Sequence, residues 1–255
     1  MAKKLPRRRR TLLARPEPVA TDQTTGRIYR NGTYLRRNPG WHSEDSPWKA
    51  RRILDLMARN DLRPSSVCEL GCGAGEILLE LSSECDEGVR FVGYETAPEA
   101  FALCRQDARP NVTFRQEDLL EDAGASFALV LAIDVFEHVE DYLGFLRRLR
   151  PKGRHKIFHI PLDISVQSVL RPSRLLRERE QVGHLHYFTR ETALATLEDL
   201  GYRILDWTYT AGSLELPNRG ALANLARLPR KLLFWMNRDL AARLLGGFSL
   251  LVLTE

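Results

Sequence analysis

Val67-Cys68-Glu69-Leu70-Gly71-Cys72-Gly73-Ala74-Gly75 reads as a short apolar strand running into a glycine-rich turn, with a helix following over Gly75–Ser82. Glycines in such a turn permit positive φ and let another molecule come close to the backbone. The first turn of the helix offers free N–H groups. Twenty residues past Gly75, Glu95 ends the next apolar run, Phe91-Val92-Gly93-Tyr94-Glu95. A carboxylate at the end of that strand is placed to accept both hydroxyls of a ribose.

Outward from this unit, short apolar strands alternate with helical stretches. Strands are expected over Val67–Leu70, Arg90–Tyr94, Val112–Arg115, Phe127–Ile133, Lys156–Ile160, Arg203–Thr208 and Phe248–Leu253. Helices are expected from Ser46 as N-cap with Pro47 at the first position, over Pro98–Asp107 and Tyr142–Leu149, and from Thr189 through Leu200 with Gly201 closing it. Such alternation predicts a parallel α/β sheet with helices on both faces. Residues 161–188 and 211–247 break the rhythm, and insertions of that length usually build a binding site or a lid.

The chain has 255 residues, 44% hydrophobic and 28% charged, which excludes a mainly disordered chain and a disulfide-dense mini-protein. No run of about 18 apolar residues occurs, so a membrane-spanning helix is not expected. Cys68, Cys72, Cys85 and Cys104 form neither a CxxC pair nor a zinc-ligand spacing, and read as reduced cytosolic thiols. Residues 1–30 hold nine Lys/Arg against two acids, whereas the remainder carries 29 basic and 31 acidic residues. The basic character thus belongs to a tail, residues 1–25, that reads as a solvated end; it also offers a surface to nucleic acid or an anionic membrane. Without residues 1–30 and 219–243 the balance is 23 basic to 30 acidic, which disfavours a broad nucleic-acid groove.

The glycine spacing here is GxGxG. A dinucleotide fold wants GxGxxG, and Glu76 at its third position would repel a pyrophosphate. Glu69 would repel phosphate as well but suits an ammonium, so a zwitterionic nucleoside fits the turn better.

At this point the sequence resembles the class I S-adenosylmethionine (SAM) methyltransferases over roughly residues 45–210. Glu69-Leu70-Gly71-Cys72-Gly73-Ala74-Gly75 is similar to their first motif, and Glu95 to their acidic ribose ligand. Phe114–Leu119 is similar to the segment beside the adenine, and Phe127–Val139 to the fourth strand with its Glu-His-Val continuation. The resemblance implies a Rossmann-like fold: a seven-stranded, mostly parallel sheet whose last strand, Phe248–Leu253, runs antiparallel beside the fifth. It divides the chain into the tail, a cap segment over residues 26–45 and a methyltransferase domain over 46–255. It also implies SAM as cofactor, with contacts from Glu69, Gly71, Cys72, Gly73, Gly75, Glu95, Thr96, Asp118, Leu119 and Asp134.

Asp134, Glu137 and His138 stand at i, i+3 and i+4, on one face of a helical turn just past a strand end. The cluster Gly183-His184-Leu185-His186-Tyr187-Phe188 precedes a helix. The sequence resembles ubiquinone-pathway O-methyltransferases and small-RNA 2′-O-methyltransferases at these positions. That resemblance implies a divalent cation such as Mg²⁺ on Asp134, Glu137, His138 and His184. A histidine base without metal, or purely structural histidines, remain open alternatives. Asp163, after the fifth strand, is a further catalytic candidate facing the acceptor.

The function expected is methylation of a hydroxyl on a small molecule or on a lipid- or polysaccharide-linked sugar. An RNA 2′-hydroxyl, a quinone precursor and a non-catalytic SAM-binding partner are the alternatives. Tyr29, Tyr34, Trp41, His42 and Trp48 form either a lid over the cofactor or packing against the sheet. Residues 219–243 interleave six Arg/Lys with Leu, Phe, Trp and Met. They are either a helical insertion or a surface for an anionic membrane, which would place the protein in the cytoplasm or at the inner membrane face.

Overall fold

The computed structural model describes residues 33–41, 43–105, 108–216 and 221–255. The basic tail, Tyr29, His42 and Arg219 lie outside them.

Seven strands form one sheet: β1 (Ser66–Leu70), β2 (Arg90–Tyr94), β3 (Val112–Arg115), β4 (Phe127–Ile133), β5 (Gly153–Leu162), β6 (Ile204–Thr210) and β7 (Phe248–Thr254). Their order is β3-β2-β1-β4-β5-β7-β6, and β7 runs antiparallel to both β5 and β6. The unbroken apolar runs of β4 and β7 follow from their interior positions, where both faces are covered. Strand β5 is longer than its apolar pattern predicts, because pairing with β7 extends to Leu162 opposite Phe248. Residue 161 therefore belongs to the sheet, not to a loop.

Helices α1 (Thr33–Arg37), α2 (Ser46–Arg59) and α3 (Glu76–Glu84) precede the sheet's second half. Asp45, not Ser46, is the cap residue of α2, and its side chain makes no capping bond; Pro47 fills the first turn, where its missing N–H costs nothing. The expected helix Pro98–Asp107 is only α4 (Pro98–Phe101). Beyond it the chain turns back, and Cys104 Sγ donates to the Gly73 carbonyl at 3.2 Å. Helix α5 (Tyr142–Leu149) matches expectation, and α8 (Arg190–Asp199) starts at a Thr189–Thr192 capping box.

The two long segments are helical. Residues 161–188 yield α6 (Val166–Leu170) and α7 (Ser173–Gln181), and residues 211–247 yield α9 (Gly212–Glu215), α10 (Ala221–Met236) and α11 (Arg238–Leu245).

Two apolar layers sandwich the sheet. Ile53, Leu56, Leu78 and Leu81 from α2 and α3 cover one face, over Leu129, Leu131 and Leu251. Phe145, Leu149, Leu197 and Ala241 from α5, α8 and α11 cover the other, over Val130, Phe158 and Val252. The chain reverses its direction of winding between β1 and β4, so the strand ends there open into a crevice. Phe158 is fully buried, and its ring meets Phe136 and Tyr202 edge-on. Phe158→Ala is expected to lower stability by about 3–5 kcal/mol in urea unfolding; a loss under about 1 kcal/mol would mean that this layer is not the core.

Candidate functional site

A cleft of about 600 Å³ lies along the carboxyl ends of the strands. Its first wall is the glycine turn. Gly71, Gly73 and Gly75 all have positive φ, and Gly71 and Cys72 donate their N–H groups to the Tyr94 carbonyl. Glu95, buried at the end of β2, accepts from Gly73 N at 2.9 Å and from Ala97 N at 2.7 Å. Burial raises its pKa, and those two backbone bonds pull the other way. The register that puts Leu70 beside Tyr94 brings the two motifs together.

Glu69 lines the cleft, is 2% exposed, and has one carboxylate oxygen with no hydrogen-bond partner. Burial pushes its pKa well up, with Lys49 opposing. An unpaired buried carboxylate beside bare glycine backbone fits the cationic, amino-acid-bearing SAM molecule expected there. Trp41 covers this wall: a Cβ built on Gly73 would lie 2.8 Å from its indole. Trp41 packs on the buried Tyr34, and Trp48 also lines the cleft, edge-on to His159. The N-terminal segment thus both covers the turn and packs onto the domain.

Five predicted cofactor contacts, Gly75, Glu95, Thr96, Asp118 and Leu119, are not in the cleft lining. Thr96 is exposed, and Leu119 is fully buried in the core. Asp118 caps its own turn, accepting from Leu120 N at 2.8 Å. Gly75 is the cap of α3, and a Cβ there would strike Phe114 at 2.3 Å.

Asp134 departs from its expected metal role. It sits at φ 54°, a left-handed conformation costly for a side-chain-bearing residue. Its carboxylate is clamped by Lys49 Nζ at 2.8 Å and His159 Nδ1 at 2.6 Å. The other ring nitrogen of His159 lies 2.8 Å from Thr210 Oγ1. His159 and Lys49 hold the Asp134 pKa far below the usual range, against its burial. Both carboxylate oxygens are therefore occupied, and Asp134 is not among the ligand atoms that converge nearby. Neither Lys49 nor His159 stood out in the sequence; the one signal was a histidine inside the apolar run of β5.

The atoms that do converge belong to Glu137, His138 and His184, all within 4.8 Å of one another. Glu137 and His138 lie on a single 3-10 turn after β4, and His184 arrives from the segment beyond α7. The two imidazole centres are 4.9 Å apart. Glu137 is fully buried, and neither of its carboxylate oxygens has a hydrogen-bond partner. Burial, then Asp134, raise its pKa to about 8. Burial alone would lower the His184 pKa, but the hydrogen bond to Asp163 and the charge of Glu137 raise it to about 9. Asp163 Oδ2 is 2.7 Å from His184 Nδ1, so Asp163 orients that ring and leaves Nε2 for the cluster. His186 is turned away, its Nε2 against the Val139 carbonyl.

The seven-stranded order, the antiparallel β7 and the glycine turn tied to the acidic end of β2 define the class I SAM-dependent methyltransferase fold. The chain belongs to the methyltransferase domain family, whose model matches residues 42–206. It is 33% identical over 99 residues to a ubiquinone biosynthesis O-methyltransferase of Azorhizobium caulinodans, covering 37% of this chain and 38% of that protein. It is 28% identical over 130 residues to one from Xanthomonas oryzae pv. oryzae, covering 45% and 53%. The chain thus matches about half or less of these relatives' length. Among solved structures, the magnesium protoporphyrin IX methyltransferase of Synechocystis with bound SAH superposes with a TM-score of 0.61 at 15% identity, over 92% of this chain and all of that one. An N-methyltransferase of Bradyrhizobium japonicum in complex with S-adenosyl-L-homocysteine (SAH) gives 0.54 at 16% identity, over 91% and 96%.

Glu95→Ala is expected to weaken SAM binding by about 1.5–3 kcal/mol, the usual loss for charge-assisted hydrogen bonds. Unchanged affinity by calorimetry would remove Glu95 from the ribose site.

Proposed function

We propose that this protein methylates a hydroxyl oxygen of a small-molecule or lipid-linked acceptor, using a divalent cation on Glu137, His138 and His184. The observation that carries this reading is the buried Glu137 carboxylate, which makes no hydrogen bond and lies within 4.8 Å of the ligand atoms of His138 and His184, two histidines that line the same cleft as the glycine turn. One carboxylate and two histidines form a donor set that suits a catalytic metal with open positions. A cation there would lower the pKa of a bound hydroxyl, which is otherwise too weak a nucleophile at neutral pH. Methyl transfer from a sulfonium needs alignment but no acid at the leaving group. His184 is held for its role by Asp163, while Lys49 and His159 fix Asp134 at the rim. The names of the curated relatives, ubiquinone biosynthesis O-methyltransferases, support oxygen as the acceptor atom and keep a quinone precursor as an alternative.

A second observation supports a lipid-linked acceptor, with the protein in the cytoplasm at the inner membrane face. Helix α10 presents Leu228, Leu232, Trp235 and Met236 at 64%, 58%, 82% and 68% exposure, one turn apart along one face. Lys231 and Arg238 are exposed beside them. An apolar ridge with basic flanks suits an anionic lipid surface. No helix among the described residues is long and apolar enough to cross a membrane.

Calorimetric titration of Mg²⁺, Mn²⁺ and Zn²⁺ into the SAH complex tests the metal. Saturable binding is expected, lost in Glu137→Gln and His184→Ala. Glu137 and His184 both have raised pKa values and each shifts the other's, so the pair holds a proton that must leave before both can ligate. Binding should therefore release protons at pH 7 and tighten as pH rises to about 9. SAH binding without metal binding would leave a base or proximity mechanism. In vesicle co-sedimentation, phosphatidylglycerol-containing vesicles should retain the protein, and Leu232→Ser/Trp235→Ser should lower retention at least tenfold. Equal retention of the double variant would end the membrane reading.

A further inference from the structure

The cleft has two electrically different ends. The cofactor end carries Glu44, Asp45, Glu69, Glu76 and Asp134 against Lys49. The far end, beyond Asp163 and His184, is lined by Arg174 and Arg227. Arg174 comes from α7 and Arg227 from α10, the two insertions that break the strand–helix rhythm.

Neither guanidinium is neutralised. Arg174 Nη1 donates to the amide oxygen of Gln167 at 3.2 Å, and Arg227 Nη2 to the Leu216 carbonyl at 2.7 Å. Among the described residues neither has a carboxylate oxygen within ion-pair distance, although Glu178 lines the same cleft. Arg227 Nε is buried with no partner. A buried guanidinium N–H left unmade is costly, and an oxyanion is the acceptor that satisfies it best.

Arg174 also borders a bare patch of backbone in the cleft lining. Gly247 has φ +75°, and a Cβ built on it would meet Arg174 Nη2 at 3.2 Å, Arg230 Nη2 at 3.4 Å and Ser213 Oγ at 3.4 Å. Arg230 is anchored by the Gly246 carbonyl at 2.6 Å, and Ser213 by the Gly247 carbonyl at 2.7 Å. Two guanidinium groups, Arg174 and Arg230, thus converge on a residue with no side chain to fill the space between them, with the Ser213 proton already held by the Gly247 carbonyl.

We infer that this end of the cleft binds an oxyanion carried by the acceptor, a phosphate or a carboxylate, through Arg174 and Arg227 with Arg230 beside Gly247. The inference rests on the acceptor lying at the Asp163–His184 end of the cleft, as proposed above. Planar guanidinium forks match the oxygens of both groups, so the shared chemistry is the oxyanion.

Titration of phenyl phosphate, benzoate and phenol into the SAH complex, in low-chloride buffer, tests it without any turnover. One of the two anions is expected to bind at least tenfold tighter than phenol. Phenyl phosphate ahead of benzoate assigns a phosphate, and the reverse a carboxylate. Arg174→Gln and Arg227→Gln should each cut the anion preference at least tenfold, with SAH affinity kept within twofold. Helix α7 buries none of its side chains, so Arg174→Gln spares the core, and Arg174→Lys should restore part of the preference. No preference for an anion over phenol, or a preference untouched in both variants, overturns the inference. Anion binding beside a silent metal titration would instead sink the metal-assisted reading alone.

Discussion

Two carboxylates are buried with oxygens that make no hydrogen bond: Glu69 in the lining of the cleft, and Glu137 beside the cleft-lining His138 and His184. Ionising a carboxylate in such a place costs several kcal/mol unless a cation arrives. The apo protein meets the cost differently at each. Glu69 has Lys49 within Coulombic reach, whereas Glu137 is pushed up to about 8 and keeps its proton at neutral pH. Much of the site follows from this constraint. Asp134 already takes the charge of Lys49 at 2.8 Å, so the lysine is shared and Glu69 stays under-compensated. A cationic ligand is what the first wall lacks, and a cation is what the second lacks.

The sheet explains why the two walls meet. β1 and β4 are neighbours, and the crevice at their ends is where the winding reverses. Glu69 lies one residue from the end of β1, and Glu137 lies a single turn beyond β4. The left-handed backbone of Asp134 makes the corner between β4 and that turn, and its N–H is held by the His159 carbonyl. Strain at this residue is offset by the ion pair and hydrogen bond that its side chain gains.

The local parts of this arrangement were legible. Apolar runs bounded by turn residues located all seven strands, and glycine spacing with Glu95 twenty residues on located the cofactor wall. Pairing lengths were not legible, since β5 is extended by a partner that lies some ninety residues away in sequence. The helix after β2 was overestimated because a sulfur–carbonyl contact pulls the chain back toward Gly73. The set Asp134, Glu137, His138 looked like one ligand face, yet the backbone after β4 is a left-handed residue and a 3-10 turn, not an α-helix. That difference rotates Asp134 toward Lys49 and His159. Those partners come from α2 and β5, and periodicity carries no information about contacts of that kind.

Helix α10 shows how the insertions complete the protein. Its inner side sends Arg227 to the cleft and Arg230 to Gly246, and stacks Phe234 on Phe248 at 4.9 Å. Its outer side carries the exposed ridge from Leu228 to Met236. Ordinary surface helices place apolar residues inward and charge outward. Here two guanidinium groups face inward beside Leu233 and Phe234, and further large apolar side chains face water. Mixed patterning of this kind is costly in an isolated monomer, and both parts of the cost vanish for one type of acceptor. An anionic head group would satisfy the arginines, and the lipid surface to which it is tethered would cover the ridge. A soluble neutral acceptor would answer neither. The same sixteen-residue helix therefore joins the proposals about acceptor charge and acceptor anchoring.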